Sequence, residues 1–139
     1  MPYHQPGWAL SNGHVVRSHM EAALCDYLTN ALEPHVHGSF EILNFDVPIG
    51  PKQRALYVPS IILTHSKKDG RAILIEPVDS PHPGGGARRL SGFRQAYGKD
   101  YFLVVVARRS LHHDIPEEAY DLIFPLEDFA PLEKFLQEL

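Results

Sequence analysis

Two carboxylates in this chain lie in patterns that are otherwise apolar, and both could take part in chemistry. Glu21 shares a helical stripe with Arg17 and Leu24, and Glu76 ends the apolar run of residues 71–76. A carboxylate on an apolar surface costs free energy unless a cation or a hydrogen-bond donor pairs with it. Arg17 is a suitable partner for Glu21, although a solvated boundary position is equally compatible with the pattern. Glu76 is either a polar strand end or a ligand-binding group, because α/β sheets place such groups where central strands end.

The apolar periodicity predicts the elements that must position these acids. A helix is expected from residue 14 to residue 31, with its N-cap at Ser11 or Asn12 and its end set by Glu33-Pro34. Strand-like runs follow, and the glycine-containing turn at residues 65–70 predicts that the second and third of them pair antiparallel. These runs cover residues 40–47, which stop at Pro48, residues 56–64 and residues 71–76.

The second half of the chain predicts a crossover. A helix at residues 87–97, ended by Gly98, precedes the unbroken apolar run of residues 101–107, which indicates a strand buried on both faces. A helix between two strands of one sheet implies that they are parallel. A short helical turn after Ile115-Pro116, a strand at residues 121–124 and an amphipathic helix from Pro125 complete the order. The core side of that last helix is expected to hold Phe129, Leu132, Phe135, Leu136 and Leu139.

This order of elements predicts an α/β fold in one domain of residues 1–139, with residues 1–13 as an irregular N-terminal arm. The core is expected to be αβββαβ, with a mixed central sheet flanked by helices on both faces and an α-β-α extension at the C-terminus.

Three short segments, in this order, resemble the PD-(D/E)xK superfamily of restriction-type and repair endonucleases. They are RSHME at residues 17–21, YVPS at residues 57–60 and ILIEPV at residues 73–78. That family has a restriction endonuclease-like αβββαβ core, a glutamate on its first helix, a Pro-Asp pair entering the second strand and an acidic-x-Lys triplet on the third. The resemblance spans residues 14–107 and implies a nuclease-like domain.

The chain departs from the family pattern at two motif positions. Ser60 stands where the family has its aspartate, and Val78 stands where it has its lysine, so that Glu21 and Glu76 remain. The resemblance implies a divalent metal, usually Mg²⁺, held by these acids. We therefore expect no cofactor or weakly bound Mg²⁺, with Asp79 as a substitute ligand if a metal site survives.

The function that the resemblance implies is a nuclease-like module that is catalytically inactive or impaired and that binds nucleic acid or acts as a scaffold. A first alternative is an active metal-dependent endonuclease with rearranged ligands, in which Asp79 or Asp46 replaces the lost acid and Arg71 or Lys52 replaces the lost base. A second alternative is a protein-interaction domain that uses the acidic C-terminal helix.

Basic residues give a weaker signal for nucleic acid. A glycine-rich loop at residues 83–86 opens the second helix, and such a loop can cradle phosphate, although a plain connection has the same sequence. Arginines on the outer face of that helix, together with other basic residues, could follow a nucleic-acid backbone or form an ordinary solvated face. The candidates are Arg17, Lys67, Lys68, Arg88, Arg89 and Arg94.

Charge and hydropathy limit the partners. The net charge is −4, and residues 114–139 hold eight acids and one base, which leaves a mildly basic body. The first residues lack the basic and apolar regions of a signal peptide, and no apolar run approaches the ~20 residues of a membrane span. We expect a cytoplasmic protein with no membrane partner, and a homodimer remains open.

Histidine and cysteine spacing predicts no zinc site. The chain has nine histidines and one cysteine. His35 and His37 could share a strand face, and His112-His113 adjoin Asp114, but no pair has the spacing of a zinc motif. Cys25 falls on the first helix beside apolar residues, where a buried small hydrophobe is expected.

Overall fold

A mixed five-stranded sheet forms the centre of the fold, in the strand order β3-β6-β7-β8-β9. The computed structural model describes residues 9–11, 14–39, 42–80 and 86–139. Its strands are β1 Ala9–Ser11, β2 His14–Val16, β3 His35–His37, β4 Phe45–Gly50, β5 Gln53–Tyr57, β6 Ile61–Lys68, β7 Arg71–Val78, β8 Tyr101–Ala107 and β9 Leu122–Pro125. Its helices are α1 His19–Asn30, α2 Gly86–Tyr97 and α3 Ala130–Gln137, with 3₁₀ turns at Arg109–Asp114 and Glu117–Ala119.

The central strands confirm the predicted crossover. β6 and β7 pair antiparallel, and β7 and β8 pair parallel with α2 between them. The register sets Ile61 opposite Ile75 and Glu76 opposite Val105. The mixed sheet and the connecting helix therefore agree with the prediction, and β9 adds a second parallel pair at the far edge.

Helices cover both faces of the sheet, as predicted, because successive residues of β8 point to opposite sides. Leu103 and Val105 pack with Leu90 and Phe93 of α2. Phe102, Val104 and Val106 pack on the other face with apolar residues of α1 and α3, among them Leu24, Leu28, Leu132 and Phe135. Burial on both faces explains the unbroken apolar sequence of β8.

The first helix begins five residues later than predicted. His14–Val16 forms β2, which pairs antiparallel with Ala9–Ser11, so part of the expected irregular arm is a strand. The N-cap is Ser18, whose hydroxyl accepts a 3.1 Å hydrogen bond from the backbone N–H of Glu21. A Ser-x-x-Glu sequence is a common start of a helix, and this signal overrides the apolar periodicity before it. Residues 1–8 and 12–13 of the expected arm lie outside the described residues.

Two strand predictions were wrong at proline residues. The run of residues 56–64 is divided at Val58–Pro59–Ser60 into the end of β5 and the start of β6, because proline interrupts strand pairing. Pro48 does not end its strand: β4 continues to Gly50 in a two-stranded hairpin with β5, where an irregular register accommodates the proline. Residues 40–41 of that predicted strand are outside the described part.

The β4–β5 hairpin packs on α2 through a close backbone contact. A Cβ added to Gly92 would lie 1.8 Å from the carbonyl oxygen of Pro48, so that only glycine fits there. Phe45 of the hairpin contacts the ring of Phe93, with 4.9 Å between centroids. In the final helix, Leu139 is 41% exposed rather than in the core, because α3 ends at Gln137. No helix within the described ranges is long and apolar enough to cross a membrane.

Candidate metal centre and the adjoining carboxylate cleft

Four side chains that could hold a metal ion meet at the edge of the central sheet beside β3. The donor atoms of His14, Cys25, His35 and His37 all lie within 4.8 Å of one another. His14 comes from β2, Cys25 from α1, and the two remaining histidines from β3, where they share one face because they are two residues apart. The fold thus assembles one donor set from three separate elements.

Four of the six separations between these donors are close to the edges of a small coordination tetrahedron. Cys25 Sγ lies 3.5 Å from His14 Nδ1, 3.4 Å from His35 Nε2 and 3.3 Å from His37 Nε2. His37 Nε2 and His14 Nδ1 are 3.1 Å apart. A tetrahedral zinc ion with nitrogen and sulfur ligands requires neighbouring donors about 3.3–3.6 Å apart. The two histidine–histidine separations that involve His35 lie within 4.8 Å, which makes the cluster a candidate site for Zn²⁺.

Two of the histidines are held in the tautomer that a metal requires. His37 Nδ1 donates to Glu21 Oε2 at 2.6 Å, since an ionised carboxylate can only accept. His35 Nδ1 donates to the backbone carbonyl of Glu33 at 2.9 Å. In its neutral form, each ring therefore turns an unprotonated Nε2 toward the cluster. Metal-binding histidines commonly have a carboxylate or a carbonyl behind them, because this contact fixes the ring and raises its basicity.

Burial favours the neutral, metal-binding form of the histidine His35. Cys25 is fully buried, and His35 is 8% exposed. Burial lowers the pKa of His35, an effect that the hydrogen bond to the Glu33 carbonyl partly opposes. A neutral imidazole and a thiolate are the forms that bind metals. The donor set of three nitrogens and one sulfur suits zinc and is a poor match for Mg²⁺, which prefers oxygen ligands.

The second acid, Glu76, lies in a cleft of about 480 Å³ at the ends of β5 and β7. Its Oε1 accepts hydrogen bonds from the hydroxyl of Tyr57 at 2.6 Å and from the backbone N–H of Ser60 at 3.1 Å. The Ser60 hydroxyl donates to Oε2. Burial raises the pKa of Glu76, which these hydrogen bonds and Arg17 oppose. Burial, and then the charge of Glu76, raises the pKa of Tyr57.

Arg17 links the two acids that the sequence singled out. Its Nη2 donates to Ser60 Oγ at 2.6 Å and to the carbonyl of Val58 at 3.3 Å, and its Nε faces Glu21 Oε1 at 3.5 Å. Glu21, Ser60 and Glu76, the motif positions of the nuclease resemblance, are thus brought together with a guanidinium between them. Glu21 is 1% exposed, and its two oxygens are engaged by Arg17 and His37.

Val78 and Asp79, the other motif residues, line the same cleft, but within the described residues neither side chain forms a hydrogen bond with Glu21, Ser60 or Glu76. Val78 is buried in the apolar cluster beneath α2, and Asp79 is exposed at the mouth of the Glu76 cleft.

Of the substitutes considered from sequence, Asp46 pairs with Arg54 at 2.9 Å on the separate hairpin. Arg71 donates to the carbonyl of Gly98 and lies over the Phe102 ring. Lys52 is exposed in the hairpin turn after β4, with a positive φ of 57°.

The basic candidates do not form one continuous track. Arg89 lines the Glu76 cleft, and Arg88 is exposed beside it on α2. Lys67 and Lys68 lie at the far end of β6, where Lys68 is opposite Arg71. Arg94 is not on a free outer face: its Nη2 contacts Asp121 Oδ1 at 2.9 Å, and its Nη1 donates to backbone carbonyls of the 3₁₀ turn Glu117–Ala119. Tertiary pairing therefore removes Arg94 from the predicted basic surface.

The histidine–cysteine cluster was missed from the sequence because its members are distant along the chain. The intervals between His14, Cys25 and His35 are eleven and ten residues, and they match no common zinc motif. The His-x-His of β3 was the available signal, because residues two apart on a strand face the same way. Reading Cys25 as a simple hydrophobe identified its burial but not its three histidine neighbours.

Comparison of the chain with protein-family models, with curated proteins and with solved structures finds no match. The resemblance to the nuclease superfamily therefore rests on the residues quoted above.

Proposed function

We propose that this chain is a zinc-binding domain in which His14, Cys25, His35 and His37 hold one Zn²⁺ ion. The observation that carries the proposal is the convergence of four nitrogen and sulfur donors, from three elements, within 4.8 Å. The hydrogen bonds behind His35 and His37 support it, because they prepare two of the ligands for a metal.

The proposed role of the ion is structural. Four protein ligands complete a tetrahedron, whereas catalytic zinc sites keep a position for water or substrate. The ion would join β2, α1 and β3, of which β2 and β3 have only three residues each. Strands this short bury little apolar surface, so that metal bonds supply cohesion that the local core does not.

Zinc binding to the purified chain tests this proposal. After removal of metal under reducing conditions, competition with a chromophoric chelator should give one tightly bound Zn²⁺ per chain. Cys25→Ala and His37→Ala should each weaken the affinity by about a hundredfold or more, since a structural zinc site uses all four of its ligands. His113→Ala is the matched control, because His113 is exposed and outside the cluster. Failure of the parent chain to bind, or equal binding by all variants, would refute the proposal.

We propose nucleic-acid binding as a second candidate function, in the form of a nuclease-like module with an impaired centre. The favouring observation is that Ser60 and Glu76 line one cleft together with Arg17 and Arg89, and that Arg17 also contacts the buried Glu21. Arg17 and the donors around Glu76 take the place that a hard cation would need, which supports impaired rather than active catalysis. The restriction endonuclease-like identity of the αβββαβ core belongs to this same proposal.

Oligonucleotide binding and cleavage separate the remaining alternatives. Oligonucleotide binding that weakens steeply with salt would support this second candidate. Arg89→Ala should reduce that binding more than Lys67→Ala, because Lys67 lies at the end of β6 that is far from the cleft. Cleavage of circular or single-stranded DNA with Mg²⁺ or Mn²⁺ would instead indicate an active nuclease with rearranged ligands. Absence of both results would favour the protein-interaction alternative, which uses the acidic C-terminal helix.

A further inference from the structure

Arg17 stands between two buried carboxylate systems that belong to different sites. On one side its Nε faces one carboxylate oxygen of Glu21, and the other oxygen accepts a hydrogen bond from His37 of the histidine–cysteine cluster. On the other side its Nη2 donates a hydrogen bond to the hydroxyl of Ser60, which in turn donates to Glu76. A single guanidinium therefore contacts both hydrogen-bond systems.

The backbone joins the same two regions. The N–H of Gly38, the residue after His37, donates to the carbonyl of Ser60 at 3.2 Å. A Cβ on Gly38 would lie 2.0 Å from the carbonyl oxygen of Pro59, so that the end of β3 rests directly on the segment before β6. A shift of His37 is therefore transmitted to Ser60 through backbone as well as through side chains.

The charges of the combined system depend on one another. A zinc ion with one thiolate keeps one positive charge, and the nearby negative charge is that of Glu21, which is hydrogen-bonded to His37. The positive charge of Arg17 is linked to the negative charge of Glu76 through the hydroxyl of Ser60. With both acids ionised, these formal charges cancel. The negative potential behind His37 favours the bound cation. Without Glu76, the positive charge of Arg17 would act on Glu21 alone and would reduce that potential.

We infer that Arg17 couples the zinc site to the Glu76 cleft. The charge of Glu76 and its hydrogen bond to Ser60 then affect the affinity of the four ligands for Zn²⁺. This inference rests on the proposed zinc site. Such coupling is reciprocal: zinc occupancy changes the cleft's affinity for any anion or cation that engages Arg17 or Glu76. Arg17 is thus a positioning residue for both sites.

A double-mutant cycle on zinc affinity tests the inference without knowledge of the cleft's ligand. Glu76→Gln should weaken zinc binding about five- to tenfold in the parent chain, a coupling of ordinary size between linked sites. In an Arg17→Met background the same substitution should change the affinity less than about twofold. Asp79→Asn is the matched control, because it removes the same charge at the mouth of the same cleft, and it should leave the affinity unchanged.

Ser60→Ala provides a second route if the glutamine variant does not fold. It removes the hydroxyl that joins Arg17 to Glu76 without changing any charge. It should weaken zinc binding in the parent chain and have no effect in the Arg17→Met background. Zinc binding by the parent chain, with the same effect of these substitutions in both backgrounds, would overturn the coupling alone. No zinc binding by the parent chain would overturn the proposed zinc site itself.

Discussion

Glu21 accepts a 2.6 Å hydrogen bond from Nδ1 of His37, and this contact determines which side of the ring can bind a metal. The sequence marked Glu21 as the surviving helix glutamate of a nuclease centre. In the fold its side chain is buried and lies behind a histidine of a nitrogen and sulfur cluster. In the proposed zinc site this buried acid orients a ligand, which is a different use of the same position.

Replacement of Glu21 by glutamine should weaken zinc binding by about 10- to 100-fold, the usual effect of losing the partner behind a metal-bound histidine. Glu33→Gln is the matched control, because Glu33 supports His35 through its backbone carbonyl and pairs its side chain with Ser66. Chelator competition measures both affinities. An equal loss in the two variants would mean that general destabilisation, rather than orientation of His37, is responsible.

Zinc should be released as the pH falls. Burial lowers the pKa of His35, so the folded chain binds a proton at this histidine less readily than the unfolded chain, whose histidine pKa is about 6.5. The stabilising contribution of neutral His35 is therefore present above the unfolded pKa and is lost as the pH drops through the folded one. Metal release followed with a zinc dye should steepen below about pH 6.5. A release profile that is flat between neutral pH and pH 5 would contradict histidine ligation.

The carboxyl group of Glu76 should titrate above the value of an unperturbed glutamate, which is about 4.3. Burial raises the pKa of Glu76, so the folded state binds this proton more tightly than the unfolded state. The associated stability is present below the unfolded pKa and is lost as the pH rises through the folded one. Carboxyl carbon chemical shifts of labelled protein measure the midpoint, and a midpoint below the unperturbed value would show that the hydrogen bonds and Arg17 outweigh burial.

Gly92→Ala should destabilise the chain by about 1–3 kcal/mol, the usual cost of overpacking. The added methyl group would meet the carbonyl oxygen of Pro48 at 1.8 Å and push the β4–β5 hairpin away from α2. Gly86→Ala on the same helix is the control, since a Cβ there has no atom within 4 Å. Urea unfolding should separate the two variants, and similar losses in both would mean that the hairpin contact is not tight.

The elements that the sequence predicted well are those with one dominant signal. β8 is recognisable because Tyr101–Ala107 is apolar without interruption, and α2 because its apolar residues recur at helical spacing until Gly98. The parallel pairing of β7 and β8 then follows from the helix between them. Placing Ser60 and Glu76 together required only that their strands be neighbours, as the hairpin turn indicated.

The features that could not be predicted depend on tertiary contacts of short segments. β2 and β3 contain three residues each, too few for a periodic pattern. The position of His14 next to Cys25 follows from how the β1–β2 hairpin lies on α1, which no local pattern encodes. Arg94 carries the sequence of a surface arginine, and only the folded position of Asp121 determines that it forms an ion pair.

X-ray absorption at the zinc edge of the metal-loaded chain tests the central claim most directly, because it counts the atoms around the ion. We expect three nitrogen ligands at about 2.0–2.1 Å and one sulfur at about 2.3 Å, with outer-shell scattering from imidazole rings. In Cys25→Ser the sulfur contribution should disappear while the histidine signal remains. A shell of oxygen ligands without sulfur in the parent chain would contradict a site built from His14, Cys25, His35 and His37.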